Sequence, residues 1–209
     1  MSIIQGTVYL LDDEPGMIKA VTRLLKAEGF SVRGFTEVKA FLESYRAEES
    51  GCLVLDVAMP ELNGLELQQR LTHAGILLPI VFLTGRGDIP MTVQAIKAGA
   101  VDFLTKPVNE ADLLRAVRAA LKRATDQRES ILELALLRQR YSRLTPRERE
   151  VMEHVVAGQL NKQVADDLGT GEQTIKVHRA RAMEKMGVES LAQLVRAAER
   201  LGLGKHPPM

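Results

Sequence analysis

The chain has 209 residues, of which 45% are hydrophobic and 26% charged, with a formal net charge of +1; this is the balance of a globular protein with room for one large domain or two modest ones. No apolar run approaches the ~18 residues a membrane span needs, and MSIIQG lacks the basic start and long apolar stretch of a secretory signal. The single Cys52 excludes an intramolecular disulfide, and His73, His154, His178 and His206 are too scattered for a local metal motif. A cytoplasmic protein with no membrane partner is expected.

The charge is unevenly spread. Residues 1–121 carry 12 Lys and Arg against 15 Asp and Glu, a net of −3, and residues 122–209 carry 16 against 12, a net of +4. An acidic front half joined to a basic back half points to a polyanion partner for the latter.

Along the front half, short apolar β-branched runs read as strands: TVYLL, SVRGF, CLVLDV, PIVFLT and VDFLT. Cys52 heads the third as a small packed hydrophobe. Between the strands lie helical patterns over Met17 to Glu28, Thr36 to Tyr45, Gly64 to Ala74, Met91 to Ala98 and from Glu110 onward. In the first of these, Ile18, Val21, Leu24 and Leu25 recur at three- to four-residue spacing, and Gly29 and Gly75 stand where helices stop. Five strand–helix repeats predict a doubly wound, flavodoxin-like α/β domain with a five-stranded parallel sheet, its near-continuous apolar strands buried on both faces.

From Leu121 to Arg143 the pattern stays helical, with a thin apolar stripe of Ile131, Leu134, Ala135 and Tyr141. It predicts a helical linker rather than a dimerising coiled coil, for which the stripe is too short and irregular. From Leu144 the chain is all helix. Thr145–Glu148 (with Pro146 at the first helical position), Thr170–Gln173 and Ser190–Gln193 each have the spacing of a reciprocal capping box, and Gly158, Gly169 and Gly187 supply stops. Four helices follow, over about 146–157, 161–168, 171–186 and 191–201. The expected domains are 1–122, a linker over 123–143, and 144–209.

The chemistry gathers at strand ends. VYLLDDEP closes the first strand on Asp12 and Asp13, and adjacent carboxylates repel unless a cation sits beside them; taken alone, the run reads first as a solvated acidic turn. The third strand, however, delivers Asp56, the fourth Thr84 and the fifth Lys106, followed by Pro107. Ligands of open α/β sheets collect at this edge. Three carboxylates with a hydroxyl and an ammonium make a site for a hard divalent cation, Mg²⁺ (or Mn²⁺ in its place), that leaves waters for a phosphate oxygen to displace. Phosphoryl transfer needs little beyond a positioned nucleophile, a metal and a cation.

The order Asp-Asp, Asp-x-x-Met-Pro, Thr-Gly, Lys-Pro over residues 5–122 resembles the receiver domain of bacterial response regulators. The resemblance implies Asp56 as phospho-acceptor, Asp13, Asp56 and the Ala58 carbonyl as metal ligands, and Asp12 acting largely through water. It also implies Thr84 and Lys106 as partners of the phosphoryl group, Phe103 as a switch aromatic, and a cis bond between Lys106 and Pro107. Ala58 and Arg86 occupy positions that tune dephosphorylation in the family.

In the back half, NKQVADDLGTGEQTIKVHRARAMEKMGV reads as helix, glycine turn, helix. With Ile175 facing the core, Ala182 and Met186 share its side, Arg179 lies at the boundary, and Gln173, Lys176, Val177, Ala180 and Arg181 face outward. A basic outer face held at an angle by a preceding helix is the helix-turn-helix arrangement, although a lone basic face is often only solvated. LTPRERE, NKQVA and TIKVHRARAMEKM resemble the LuxR/NarL-type DNA-binding domain, and the whole chain resembles FixJ-type regulators. By that likeness Lys176, Val177, Ala180 and Arg181 face bases, with Ala180 set against a thymine methyl. Gln173, Thr174, Arg179 and Lys162 complete the contact set, and His178 lies near phosphates or the helix packing. The stripe Leu191, Leu194, Val195 and Ala198 doubles as core and as a dimer surface on DNA. The resemblance thus implies a two-component transcription regulator. A sensor histidine kinase phosphorylates it, it dimerises and binds double-stranded DNA, and it activates through RNA polymerase. It turns over no separate substrate. Two alternatives stand beside this: an aspartate-nucleophile phosphohydrolase, whose D-x-D run and cap insertion are missing here, and a vestigial pocket with constitutive DNA binding.

Overall fold

A computed structural model describes residues 6–46, 49–60, 62–85 and 89–203, so that Arg86 and His206 lie outside the described residues. The chain divides into two compact units, 1–128 and 129–209.

In the first unit, strands β1 (Thr7–Leu11), β2 (Ser31–Phe35), β3 (Gly51–Asp56), β4 (Ile80–Thr84) and β5 (Asp102–Thr105) alternate with helices α1 (Pro15–Ala27), α2 (Val38–Ser44), α3 (Gly64–His73) and α4 (Ile89–Lys97), and α5 (Glu110–Ser142) follows. The sheet is parallel throughout, in the order β2-β1-β3-β4-β5. Successive strand residues face opposite sides. Val8, Leu10, Cys52, Val54, Val81 and Leu83 therefore pack with Val21, Leu25, Leu113 and Val117 on one face. Tyr9, Leu11, Leu53, Leu55, Ile80 and Phe82 pack with Phe41, Leu67 and Leu71 on the other. Each such aliphatic side chain contributes roughly 1.5–3 kcal/mol relative to exposure. Burial also pushes the Cys52 thiol up to about 12, which keeps it an inert hydrophobe.

The expectation of strands buried on both sides holds for β3 and β4, and for β1 beyond its first residue. It is corrected for the edges: β2 buries only Val32, and β5 has no fully buried residue. Edge strands have a neighbour on one side only and keep more polar character. Helix ends shift slightly for identifiable reasons. Helix α1 begins at Pro15, two residues before the expected Met17, because proline's fixed φ suits the first helical position. Gly29 and Gly75 take φ of 85° and 73°, the left-handed stops expected of them. At the start of α3, the Gly64 N–H donates to the Val57 carbonyl at 3.0 Å, and a Cβ there would sit 2.5 Å from the Asp56 carbonyl oxygen.

Helix α5 runs unbroken through the expected linker. Its inward residues beyond Arg128 are Leu137 and Tyr141, which pack on the second core. Ile131, expected in the apolar stripe, is 56% exposed, and Ala135 is exposed as well. The stripe follows the helix's later turns, where there is a core to face.

The second unit adds α6 (Pro146–Val156), α7 (Asn161–Asp167), α8 (Glu172–Met186) and α9 (Leu191–Leu201), closed around Val151, Met152, Val155, Val164, Ile175, Ala182, Met186 and Leu194. The Thr145–Glu148 capping box is complete. Ser190 caps α9 by accepting from the Gln193 N–H, while Gln193 Oε1 accepts from Glu189 rather than Ser190. The Thr170–Gln173 box is corrected: the N-cap of α8 is Gly171, with no side-chain cap. Thr170 sits one residue too early, its N–H still committed to Ala165 of the preceding turn.

Candidate functional site

The register brings the polar residues of four strands to one edge. Leu11 pairs with Leu55, Asp56 with Leu83 and Thr84 with Thr105, so Asp12, Asp13, Asp56, Thr84 and Lys106 all lie at or just past the carboxyl ends. One oxygen from each of Asp12, Asp13 and Asp56 lies within 4.8 Å of the others. Asp12 and Asp56 are buried and Asp13 is exposed. The Lys106 ammonium reaches in, with Nζ 2.7 Å from Asp12 Oδ2 and 3.2 Å from Asp56 Oδ1. The expected cis peptide joins Lys106 to Pro107.

The three acids have unequal surroundings. Asp12 is satisfied at both oxygens: Oδ1 accepts from the Glu14 N–H at 2.9 Å and Oδ2 from Lys106. Asp56 is attracted to Lys106, but its buried Oδ1 has no aligned hydrogen bond. Burial holds the Asp56 carboxyl above the usual carboxylate range, against the opposing pull of Lys106 and a backbone hydrogen bond from Ala58. For Lys106, burial acts downward, and the hydrogen bonds and charges of Asp12 and Asp56 outweigh it, leaving the ammonium raised. Three acids therefore face one lysine. An oxygen-only donor set with excess negative charge and a buried carboxylate oxygen that has an ion pair but no aligned hydrogen bond fits a hard divalent cation such as Mg²⁺. Asp13 and Asp56 are the residues with oxygens to offer it.

Thr84 is 2% exposed at the end of β4, and its carbonyl accepts from the Lys106 N–H at 2.7 Å. Phe103 lies in β5, half-buried, with its ring 5.9 Å from that of Phe82. It lies in the same edge strand but contributes to packing on the face opposite α1 and α5.

In the second unit the helical wheel drawn from the sequence is reproduced. Ile175, Ala182 and Met186 are buried, and Gln173, Thr174, Lys176, Val177, Ala180 and Arg181 are exposed, as is Lys162 on α7. Arg179 is half-buried and donates to Asn161 Oδ1 at 3.2 Å, which ties α8 to the start of α7. His178 is half-buried with its Nδ1 enclosed and unpartnered. Lys176 pairs with Glu172 one turn earlier at 3.1 Å, both about half exposed. Such a pair is weak enough for a phosphate to displace.

Sequence reasoning placed Glu148 only as a capping residue. In the structure it is 3% exposed, and its Oε2 accepts both the Lys185 ammonium at 2.6 Å and the Thr145 N–H at 2.8 Å. Burial raises its carboxyl, but Lys185 and the two Thr145 hydrogen bonds outweigh that and hold it below the ordinary range. This pair fastens α6 to α8 and so sets the angle of the basic helix. Its signal in the sequence was an acid at a capping position, which does not reveal a partner 37 residues away.

A five-stranded parallel sheet with an acid cluster and a lysine at one edge, followed by a helix-turn-helix unit, defines a class, and comparison with known proteins gives it a family. The family described as "Response regulator receiver domain" matches residues 8–118, and "Bacterial regulatory proteins, luxR family" matches residues 142–198. The chain is 46% identical over 201 residues to the response regulator protein TodT of Pseudomonas putida, covering 96% of this chain and 88% of that one. It is 39% identical over 199 residues to the transcriptional regulatory protein FixJ of Bradyrhizobium diazoefficiens, covering 95% and 97%. Among solved structures, that of the response regulator StyR matches with a TM-score of 0.81 and 44% identity, over 94% of this chain and 99% of that one. Full-length FixJ from B. japonicum matches with a TM-score of 0.57 and 40% identity, over 94% and 97%. The chain belongs to the response regulators of two-component systems that join a receiver domain to a LuxR-type DNA-binding domain.

Proposed function

We propose that Asp56 accepts a phosphoryl group from a sensor histidine kinase and that the modified protein dimerises on promoter DNA to activate transcription through RNA polymerase. The observation that carries this reading is the inequality among the acids: Asp12 accepts aligned hydrogen bonds at both oxygens, while the buried Asp56 Oδ1 has only the ion pair with Lys106 at 3.2 Å. An Asp56 oxygen attacks phosphorus as the nitrogen–phosphorus bond of the donor histidine breaks, and the electron pair leaves with the imidazole. Asp13, Asp56 and the Ala58 carbonyl would hold Mg²⁺, with Asp12 acting through water, and the bound ion would supply charge neutralisation on the phosphoryl oxygens. Lys106 remains within reach of Asp56 to pair with the new dianion, and Thr84 to hydrogen-bond it. The gain of charge biases α4 and β5, with Phe103 moving between two packings.

The dimer surface we assign is the α4–β5 face, where Ile89, Val93 and Ile96 are 81%, 43% and 45% exposed at helical spacing. On DNA, Lys176, Val177, Ala180 and Arg181 read base edges, with Gln173, Thr174, Arg179 and Lys162 around them. Ala58 has no side-chain group to orient a hydrolytic water, so the phosphoprotein lives for minutes or longer; a half-life of seconds would refute that. Cytoplasmic residence accords with the absence of a long apolar helix among the described residues. The chain turns over no separate phosphoester. The test is intact mass after incubation with acetyl phosphate and Mg²⁺. One phosphoryl group is expected, absent without Mg²⁺ and in Asp56→Asn, together with a rise in DNA affinity. A full adduct on Asp56→Asn would overturn the assignment, and unchanged DNA affinity on phosphorylation would favour constitutive binding.

A further inference from the structure

Helix α3 carries an amide where its apolar pattern offers a core position. Gln68 is 3% exposed beside buried Leu67 and Leu71. Its Nε2 donates to the Ala98 carbonyl at 3.2 Å and to the Ala95 carbonyl at 3.4 Å, both at the end of α4. Its Oε1 is buried with no partner. The amide cannot turn over, since Oε1 would then face two carbonyl oxygens. A leucine at this position would carry no unsatisfied acceptor of its own but would deprive the Ala98 carbonyl of its side-chain donor, so the glutamine's contribution is directional rather than cohesive.

What it directs is one end of one helix. The last carbonyls of a helix lack intrahelical donors; at the end of α4 the Ala95 carbonyl also accepts from the Ala100 N–H at 3.1 Å, while Gln68 on α3 reaches the Ala98 carbonyl and Arg123 of α5 donates through Nη1 to the Gly99 carbonyl at 3.2 Å. A cavity of 140 Å³ lined partly by Gln68, Ala98, Gly99, Arg123 and Gln127 borders these bonds. The end of α4 is thus held by side-chain and main-chain hydrogen bonds beside this cavity. Of the nine residues of α4, Ala95 alone is buried, in the second half, while Ile89 at the start is 81% exposed. That start follows Thr84 of the acidic site after the short connection 85–88.

We infer that Gln68 is the fulcrum of α4. It pins the last turn to α3, so that a change of charge at Asp56 and Thr84 becomes a swing of the first turn and of the Ile89–Val93–Ile96 stripe. Gln68 is a positioning residue, acting on the dimer surface through α4 without touching the acid cluster. The inference rests on the reading of Asp56 as phosphoryl acceptor.

The experiment compares full-length Gln68→Met, which keeps the reach of the side chain without its donors, with the parent. Amide hydrogen exchange, phosphoryl uptake from acetyl phosphate and self-association before and after phosphorylation are measured. Exchange at residues 95–100 is expected to quicken by about fivefold or more as that turn opens locally, with β1 and β3 unchanged. Phosphoryl uptake stays within about twofold of the parent, while the phosphorylation-driven gain in self-association falls by about threefold or more, the signature of lost coupling rather than lost chemistry. Unchanged exchange at 95–100, or an undiminished gain, overturns the fulcrum. Should Gln68→Met lose protection throughout the sheet, Gln68→Asn, which keeps an amide of shorter reach, is put through the same comparison. A parent that takes up no phosphoryl group refutes the acceptor reading instead, and the fulcrum is then decided by the exchange pattern alone.

Discussion

Each unit of this protein buries carboxylate against lysine, and the two do so to opposite ends. In the second, Glu148 meets Lys185 one to one, and the Thr145 N–H adds a second donor to the same carboxylate. In the first, Asp12, Asp13 and Asp56 cluster together, and among the described residues Lys106 is the cation paired with them, through Asp12 and Asp56. The balanced pair holds two helices at a fixed angle. The unbalanced cluster holds charge that the fold itself does not neutralise, which is the condition for binding something cationic and reacting with something anionic. Burial of a charge says little until its partners are counted atom by atom.

The comparison can be broken most sharply at Asp56. Asp56→Asn is expected to abolish the phosphoryl adduct completely by intact mass, while raising rather than lowering the thermal stability of the metal-free first unit, by about 1 kcal/mol, since it removes a desolvated surplus charge. Next in size is Glu148→Ala, expected to cost about 1–3 kcal/mol in the second unit by urea unfolding, because the Thr145 N–H loses its buried acceptor while Lys185, a third exposed, turns to solvent. The same pair sets a pH dependence. The Glu148 carboxyl lies below its ordinary value in the folded state, so its stabilisation is fully present above about pH 4.5 and is lost as pH falls through the lowered folded value. Acid unfolding of Glu148→Gln is expected to be flatter in that window.

Smaller effects separate contact types on the basic helix. Val177→Ala is expected to weaken binding to the preferred operator by about 1–3 kcal/mol with an unchanged salt slope, and Lys162→Ala to weaken all sequences alike while reducing the slope by about 0.9. Glu172→Ala, which frees Lys176 from a half-exposed pair, is expected to shift folding stability by less than about 0.5 kcal/mol. A larger loss would show that surface pair to be part of the helix's support.

Much of this was readable in the residues because local chemistry and global fold agree. Strands of period two set Val8 and Leu10 against one layer and Tyr9 and Leu11 against the other. The positions of Asp12, Asp56, Thr84 and Lys106 at strand ends then follow from parallel topology alone. The outward set Gln173, Lys176, Val177, Ala180 and Arg181 followed from 100° per residue once Ile175 was turned inward. Illegible were the features that depend on a partner distant in the chain. Glu148 and Lys185, or Gln68 and the carbonyls of α4, are juxtaposed only after helices pack. The cap at Thr170 failed for a local reason, a glycine one residue later that could serve the helix start with less constraint on the turn. The edge exposure of β2 and β5 needed the strand order, which the apolar pattern of a single strand does not contain.

The start of α3 has a consequence for how this protein can vary. Gly64 passes so close behind Asp56 that even one methyl group would press on the Asp56 carbonyl at 2.5 Å and on the Val57 Cα at 3.1 Å, both main-chain atoms with nowhere to retreat. The Asp56 carboxylate therefore owes its placement to a missing atom on another element. Sequence drift can exchange apolar residues of the sheet for one another at little cost, but at position 64 nineteen of the twenty residues are closed to it. A library randomised across α3 should return this glycine wherever selection is for response to phosphorylation, although it touches neither metal, phosphate nor DNA.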